Sequence, residues 1–407
     1  MHRTSRLIAW TLALVYWGCG GTGTGQLAEE DKADGALPSD RRADGGEPAV
    51  SDAGLEEARV DGAGADAALA EAGDASGGGG DAAFDASLEA GDGGPILDAG
   101  FATDAGSDAG ALLFHSGFEG TVAVVAANAQ NDRVVGEDPT KAGPNNWVAD
   151  FENAPGIGSV AIAYEEGTAT QRKANVITEP GRPLNHVLQY WLPEANVTSP
   201  HKGRIQMSVY GNSGLRELFV STRLFLPASF DAYRTYPAKS DWLTLAEFWN
   251  NGGWTKEPFP FRISLNIGKP SASVPSDLFF EAHGQTLEVT DAGKEKWTSV
   301  WEAADTSFPI PTGQWLRLDT YFKEGNGAAG RFYFAVTPEG GATKVLLDVH
   351  NFTHHPSDPS PDGLSHLNPL KLYTSAALIE HFTSKGAAME VWWDDFEVWR
   401  GRRPSGG

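Results

Sequence analysis

The chain has 407 residues, 41% of them hydrophobic, and carries a formal net charge of −23. That is length enough for one large core. The acidity and the absence of a clustered basic stripe argue against a nucleic-acid partner, and one cysteine cannot form a disulfide framework.

The chain opens on His2, Arg3 and Arg6, followed by an apolar run from Leu7 to Trp17 that ends at Gly18. A charged head, a short apolar segment and a small residue are the layout of a signal peptide over residues 1–18. The run is shorter than the about 20 apolar residues of a spanning helix. Cys19 follows directly, and the arrangement resembles the lipobox of bacterial lipoproteins, whose thiol takes up lipid. The resemblance implies export, a membrane anchor at Cys19, and residence at the outer membrane or cell surface.

Residues 19–111 are Ala, Gly and Asp with scattered Ser and Glu. Between Gly20 and Gly110 there are 21 acidic and 4 basic residues, which account for most of the net charge. So few aromatic and β-branched residues cannot offset the entropy of ordering, and like charges extend such a chain. A solvated spacer is expected there.

The expected folded domain spans 112–402, with 403–407 as a tail, and holds eleven of the thirteen Trp. Period-two alternation between Gly, Pro, Asn and Asp breakers predicts strands. In chain order these are Leu215–Pro227, Trp242–Asn250, Phe261–Ile267, Leu278–Gln285, Trp315–Lys323, Gly330–Val336, Lys344–Phe352 and Met389–Trp399. Only Ser375–Gly386 reads as a helix. The expected fold is all-β, a two-sheet antiparallel jelly-roll sandwich.

Alternation also divides each strand into faces. Phe261, Ile263, Leu265 and Ile267 are expected in the core, as are Leu316, Leu318, Phe322, Phe332 and Phe334. The opposite positions hold Arg262, Ser264 and Asn266, then Glu281, His283 and Gln285, then Arg317, Asp319, Tyr321, Lys323, Arg331 and Tyr333. Rings that stack on sugars, amides and acids that bond hydroxyls, and cations that pair with uronates suit a polysaccharide groove on one concave sheet. A solvated outer surface has a similar composition.

The order of WLRLDTYFKEGNGAAGRFYFAV, then KLYTS, then WWDDFEVW, with Phe118-Glu119-Gly120 near the domain start, resembles the concanavalin A-like lectin and glucanase superfamily. Within it the chain is similar to jelly-roll polysaccharide lyases of the heparinase I and alginate lyase kind. The resemblance implies cleavage of uronate chains by β-elimination, with a neutraliser for the carboxylate and a Tyr or His base. It places Arg204 and Gln206 in the groove and aligns the lyases' Gln-x-His strand with Glu247-Phe248-Trp249. Glu247 thus replaces the neutralising Gln and Trp249 the catalytic His, and an unpaired glutamate would repel a uronate. His283, Tyr321 and Tyr333 remain as candidate bases, of which His283 and Tyr321 are preferred. Asp394-Asp395-Phe396-Glu397 lacks the carboxylate spacing of a retaining glucanase.

Glu119, Asp394 and Asp395 should lie where the first and last strands meet, a junction that in related sugar-binding jelly rolls holds structural calcium. The His-rich segment His350–His366 is broken by Pro and reads as a rigid loop over a sheet edge rather than a zinc site. The expectation is a monomeric, surface-anchored polysaccharide-binding protein, with a lyase of rearranged site as the alternative and a structural surface protein as a third reading.

Overall fold

The computed structural model describes residues 110–404, apart from short breaks at 129, 140–142, 166, 197–201, 253–256 and 290–294. The expected signal segment, Cys19 and the expected linker up to residue 109 lie outside the described residues. No described helix is long and apolar enough to cross a membrane.

The strands in chain order are β1 (Ala111–Ser116), β2 (Ala123–Ala126), β3 (Asn131–Val135), β4 (Ser159–Tyr164), β5 (Lys173–Glu179) and β6 (Arg182–Leu192). They continue with β7 (Lys202–Tyr210), β8 (Glu217–Phe225), β9 (Ser240–Asn250), β10 (Phe261–Lys269), β11 (Phe279–Val289) and β12 (Glu295–Ala304). The last are β13 (Trp315–Lys323), β14 (Arg331–Pro338), β15 (Lys344–Val349), β16 (His366–Asn368), β17 (Lys371–Ser375) and β18 (Met389–Arg400). They form an eight-stranded sheet, β15-β14-β13-β8-β18-β6-β5 with β1 on β18. A ten-stranded sheet runs β12-β11-β10-β9-β16-β7-β4-β3-β2, with β17 also pairing with β7 and β9. All the pairings are antiparallel, and the result is the expected two-sheet jelly-roll sandwich.

The alternation read from the sequence builds the core. Phe261, Ile263, Leu265 and Ile267 of β10 are buried, as are Leu316, Leu318, Phe322, Phe332 and Phe334 of β13 and β14. Rings meet between the sheets, Phe280 with Phe334 at 5.1 Å and Phe248 with Phe332 at 5.6 Å between centroids. Burial of such a side chain contributes about 1.5–3 kcal/mol. Beside the junction of β1 and β18, Phe114, Phe118, Trp147, Phe151 and Phe396 close one end of the core in edge and stacked contacts.

The single α-helix among the described residues, α1 (Ala376–Ser384), starts where the Ser375 hydroxyl accepts the Leu378 amide at 3.3 Å. It ends at Gly386, whose φ of 72° lets the Gly386 and Ala387 amides reach back to Thr383 and Phe382. Its apolar stripe of Leu378, Ile379 and Phe382 is buried. Of the expected tail, residues 403 and 404 pack on the domain, where Arg403 pairs with Glu217 at 2.6 Å and Pro404 is buried, and 405–407 lie outside the described residues.

Candidate functional site

The antiparallel register of the ten-stranded sheet carries three rows of side chains across its outer face. The first runs Arg204, Tyr373, Thr244, Asn266, Glu281. The second contains Gln206 opposite Lys371, then Asn368, Glu247, Ser264, His283 and Glu302. The third runs Tyr210, His366, Trp249, Arg262, Gln285. Eight residues expected to engage glycan, Arg204, Gln206, Glu247, Trp249, Arg262, Asn266, His283 and Gln285, therefore share one face.

At the centre lies an ion-pair floor. Lys371 Nζ donates to Glu247 Oε2 at 2.6 Å, and Arg262 Nη1 donates to Glu247 Oε1 at 3.2 Å. The Trp249 indole N–H adds a third donor at 3.0 Å. Burial would raise the Glu247 carboxyl, but Lys371 and Arg262 together outweigh it and hold it at about 2. Burial lowers the Lys371 ammonium to about 8 despite the Glu247 charge. The carboxylate that would have repelled a uronate is thus neutralised from below by its own partners. Arg262 also donates to Gln285 at 3.1 and 3.0 Å and lies 3.7 Å from the Trp297 ring centroid. Trp297 and Trp249 meet edge to face at 5.9 Å.

Tyr373 stands at the other end of the face. Lys371, Lys202 and Arg204 lie 4.7, 5.6 and 5.9 Å from its ring centroid, and Trp242 meets it edge to face at 5.4 Å. Burial, then Glu165, raises the phenol pKa, against the pull of Lys202 and Arg204, so the hydroxyl stays protonated at neutral pH. Arg204 Nε, Gln206 Oε1 and Asn266 Oδ1 are buried on this face without a hydrogen-bond partner among the described residues. Such atoms carry a desolvation cost that a ligand or water relieves.

The other four expected groove residues lie on the opposite side of the sandwich. Tyr321, Lys323, Arg331 and Tyr333 belong to β13 and β14, whose outer face points away from these rows. Tyr321 is 2% exposed and donates to Glu217 at 2.8 Å, so the expected base is a structural phenol. Tyr333 is buried beside it with Phe219, and Arg331 grips Asp348 with two bonds at 2.7 and 3.0 Å. Arg402 covers Phe219 at 4.4 Å from its centroid. Alternation identifies which positions oppose the core, but not which of two sheets a strand joins.

The calcium expectation meets a protein cation instead. β1 and β18 do pair, and β18 bulges between Asp394 and Glu397. Glu119 accepts the His186 amide at 2.8 Å and lies 2.7 Å from its ring nitrogen. Asp394 and Asp395 face Arg223 at 3.6 and 3.5 Å, and Asn185 donates to Asp394 at 3.1 Å. The buried Arg223 also rests on Trp315 at 4.6 Å. The guanidinium supplies the positive charge there, so these residues do not fit a calcium ion. No group of three metal-ligating side chains occurs among the described residues, the His-rich segment included.

Sequence reasoning missed Lys202, Lys371, Tyr373, Asn368, His366 and Trp297. Lys371 and Tyr373 were visible as alternate positions in KLYTS, and Trp297 as one ring of the pair in WTSVW.

No family model and no curated protein matches the chain. Among solved structures the fold is similar to alginate lyase Aly36B, at 12% identity and a TM-score of 0.39, covering 70% of this chain and 99% of that one. It is also similar to an alginate lyase of Aplysia kurodai, at 10% identity and a TM-score of 0.36, covering 67% and 99%. An endo-β-1,4-glucuronan lyase from the fungus Trichoderma reesei has 13% identity and a TM-score of 0.33, covering 58% and 89%.

Proposed function

We propose that the outer face of the ten-stranded sheet binds a carboxylate-bearing polysaccharide laid across the strands from β7 to β12, and that lipid on Cys19 holds the monomeric domain at the outer membrane or cell surface. One observation carries this reading. Two cations (Lys202, Arg204) and three rings (Tyr373, Trp249, Trp297) share a face with the Glu247-bound Lys371 and Arg262 and with the unpartnered buried atoms of Arg204, Gln206 and Asn266. Cations recognise carboxylates, rings pack on pyranose faces, and the buried amides have hydrogen-bonding capacity left for hydroxyls.

A lyase is the second reading, favoured by Tyr373 among its cations. β-Elimination needs the carboxylate neutralised, the α-proton removed and the leaving oxygen protonated. Arg204 and Gln206 suit the first task, and the protonated Tyr373 suits the last. The remaining candidate base, His283, sits three strand spacings from Tyr373, about 14 Å at 4.7–4.9 Å per strand. Two groups that far apart cannot serve one sugar ring, which favours binding without cleavage.

Affinity gels containing alginate, glucuronan or a heparin-like polymer, read beside the ultraviolet absorbance of unsaturated uronates, test both. Retardation without product is expected. Product that disappears in Tyr373→Phe replaces the binding reading with the lyase. Neither retardation nor product with any polymer leaves a structural surface protein.

A further inference from the structure

The core between the sheets departs from its apolar pattern at one place. The inner positions of β8 read Leu218, Val220, Thr222, Leu224, and those of β13 read Leu316, Leu318, Thr320, Phe322. The register sets Thr222 opposite Leu318 and Thr320 opposite Val220, so the two hydroxyl-bearing side chains are diagonal neighbours on one face. In the other sheet β9 bulges, with Leu245 left between the pairs Ala246–Leu265 and Thr244–Asn266. A cavity with room for about one water lies there between the two sheets. Its lining includes Thr222 and Thr320, Ala246 and Phe248 of β9, Pro369, and Trp393 of β18.

Trp393 is 1% exposed, and its indole N–H has no hydrogen-bond partner among the described residues. A donor buried in this way carries a desolvation penalty until something accepts from it. Thr222 donates its hydroxyl proton to the Asp394 carbonyl at 3.0 Å, which leaves its oxygen able to accept. The Thr320 hydroxyl, also buried, can donate or accept. Valine has nearly the same shape as threonine and would have filled either inner position without a polar group.

We propose that this cavity is a binding site for one structural water. The water accepts from Trp393 Nε1–H and donates to the Thr222 and Thr320 oxygens, and three such bonds are what buried waters typically make. It ties β18, β8 and β13 together on the core side of β9, whose next residue after Ala246 is the outward-facing Glu247. A cavity of the same size lined by apolar groups alone would stay dry and admit xenon.

High-resolution diffraction from crystals of the full chain, with and without xenon pressure, tests the proposal. One ordered water is expected in the cavity, about 2.7–3.2 Å from Trp393 Nε1, and xenon is expected to stay out. Thr222→Val/Thr320→Val keeps the side-chain volume, and its melting curve checks that it folds. In that variant the water is expected to disappear and xenon to enter. A wild-type cavity that holds xenon, or that shows no ordered water, overturns the proposal. So does a water that stays in place at full occupancy in the double variant, because the hydroxyls would then not be what holds it.

Discussion

Lys371 Nζ lies 2.6 Å from Glu247 Oε2, with both side chains buried in the outer face of one sheet. Removing Lys371 leaves the buried Glu247 with Arg262 as its one remaining cation, at a cost of up to about 3–5 kcal/mol. Lys371→Met alone is expected to lose that much stability in urea unfolding. Lys371→Met/Glu247→Gln should recover most of it, and a double variant no more stable than the single one would deny the coupling.

The same pair sets the response to acid. Glu247 is held at about 2 in the fold, against 4.5 as an ordinary glutamate. Between those values the unfolded chain binds the extra proton, so its stabilising effect is complete above about pH 4.5 and disappears as pH falls towards 2. The loss attributable to this group is at most about 3 kcal/mol. Stability curves against pH should show it in the wild type and not in Lys371→Met/Glu247→Gln.

A Cβ at Gly284 would stand 2.3 Å from the Trp301 indole, whose N–H donates to the Phe352 carbonyl at 2.7 Å. Gly284→Ala must displace that ring and with it the start of the His-rich segment. A destabilisation of about 1–3 kcal/mol is expected, with a changed tryptophan emission spectrum. An unchanged spectrum would show that the backbone, and not the ring, gives way to the added methyl.

At the β18 bulge, burial first and then Asp395 raise the Asp394 carboxyl well above the usual carboxylate range, against the pull of Arg223. Arg223→Met leaves the acid pair without its cation and is expected to cost about 3–5 kcal/mol at neutral pH. Calcium and chelators should leave the wild-type Tm unchanged in calorimetry. A rise in Tm with calcium would show that a metal shares the site with Arg223.

Where the alternation is regular and the breakers are strong, the sequence was readable. WLRLDTYFK predicts β13 to the residue, and the edges of β8, β9 and β10 fall within a few positions. The core sets of β10, β13 and β14 follow from the same period. The polar edge strand β12, with its exposed Glu295, Lys296, Thr298 and Ser299, hides the signal because little of it is buried. Short strands such as β2 and β3 carry too few turns of the pattern. Sheet membership was not legible, because it depends on pairings between distant segments. β1 meets β18 from the other end of the domain, and β16 and β17 insert between β7 and β9. Tyr321 and His283 therefore read alike in sequence, although the fold sets them on opposite faces.

Glycan is proposed to engage the ten-stranded face and not its counterpart. Affinity of the full chain for heparosan, compared between Arg204→Ala/Trp297→Ala on that face and Lys323→Ala on the other, tests it most directly. The first variant is expected to lose at least about tenfold in affinity, as removal of an ion pair and a stacking ring implies, while Lys323→Ala binds like wild type. Equal losses in both variants, or a loss confined to Lys323→Ala, would contradict it.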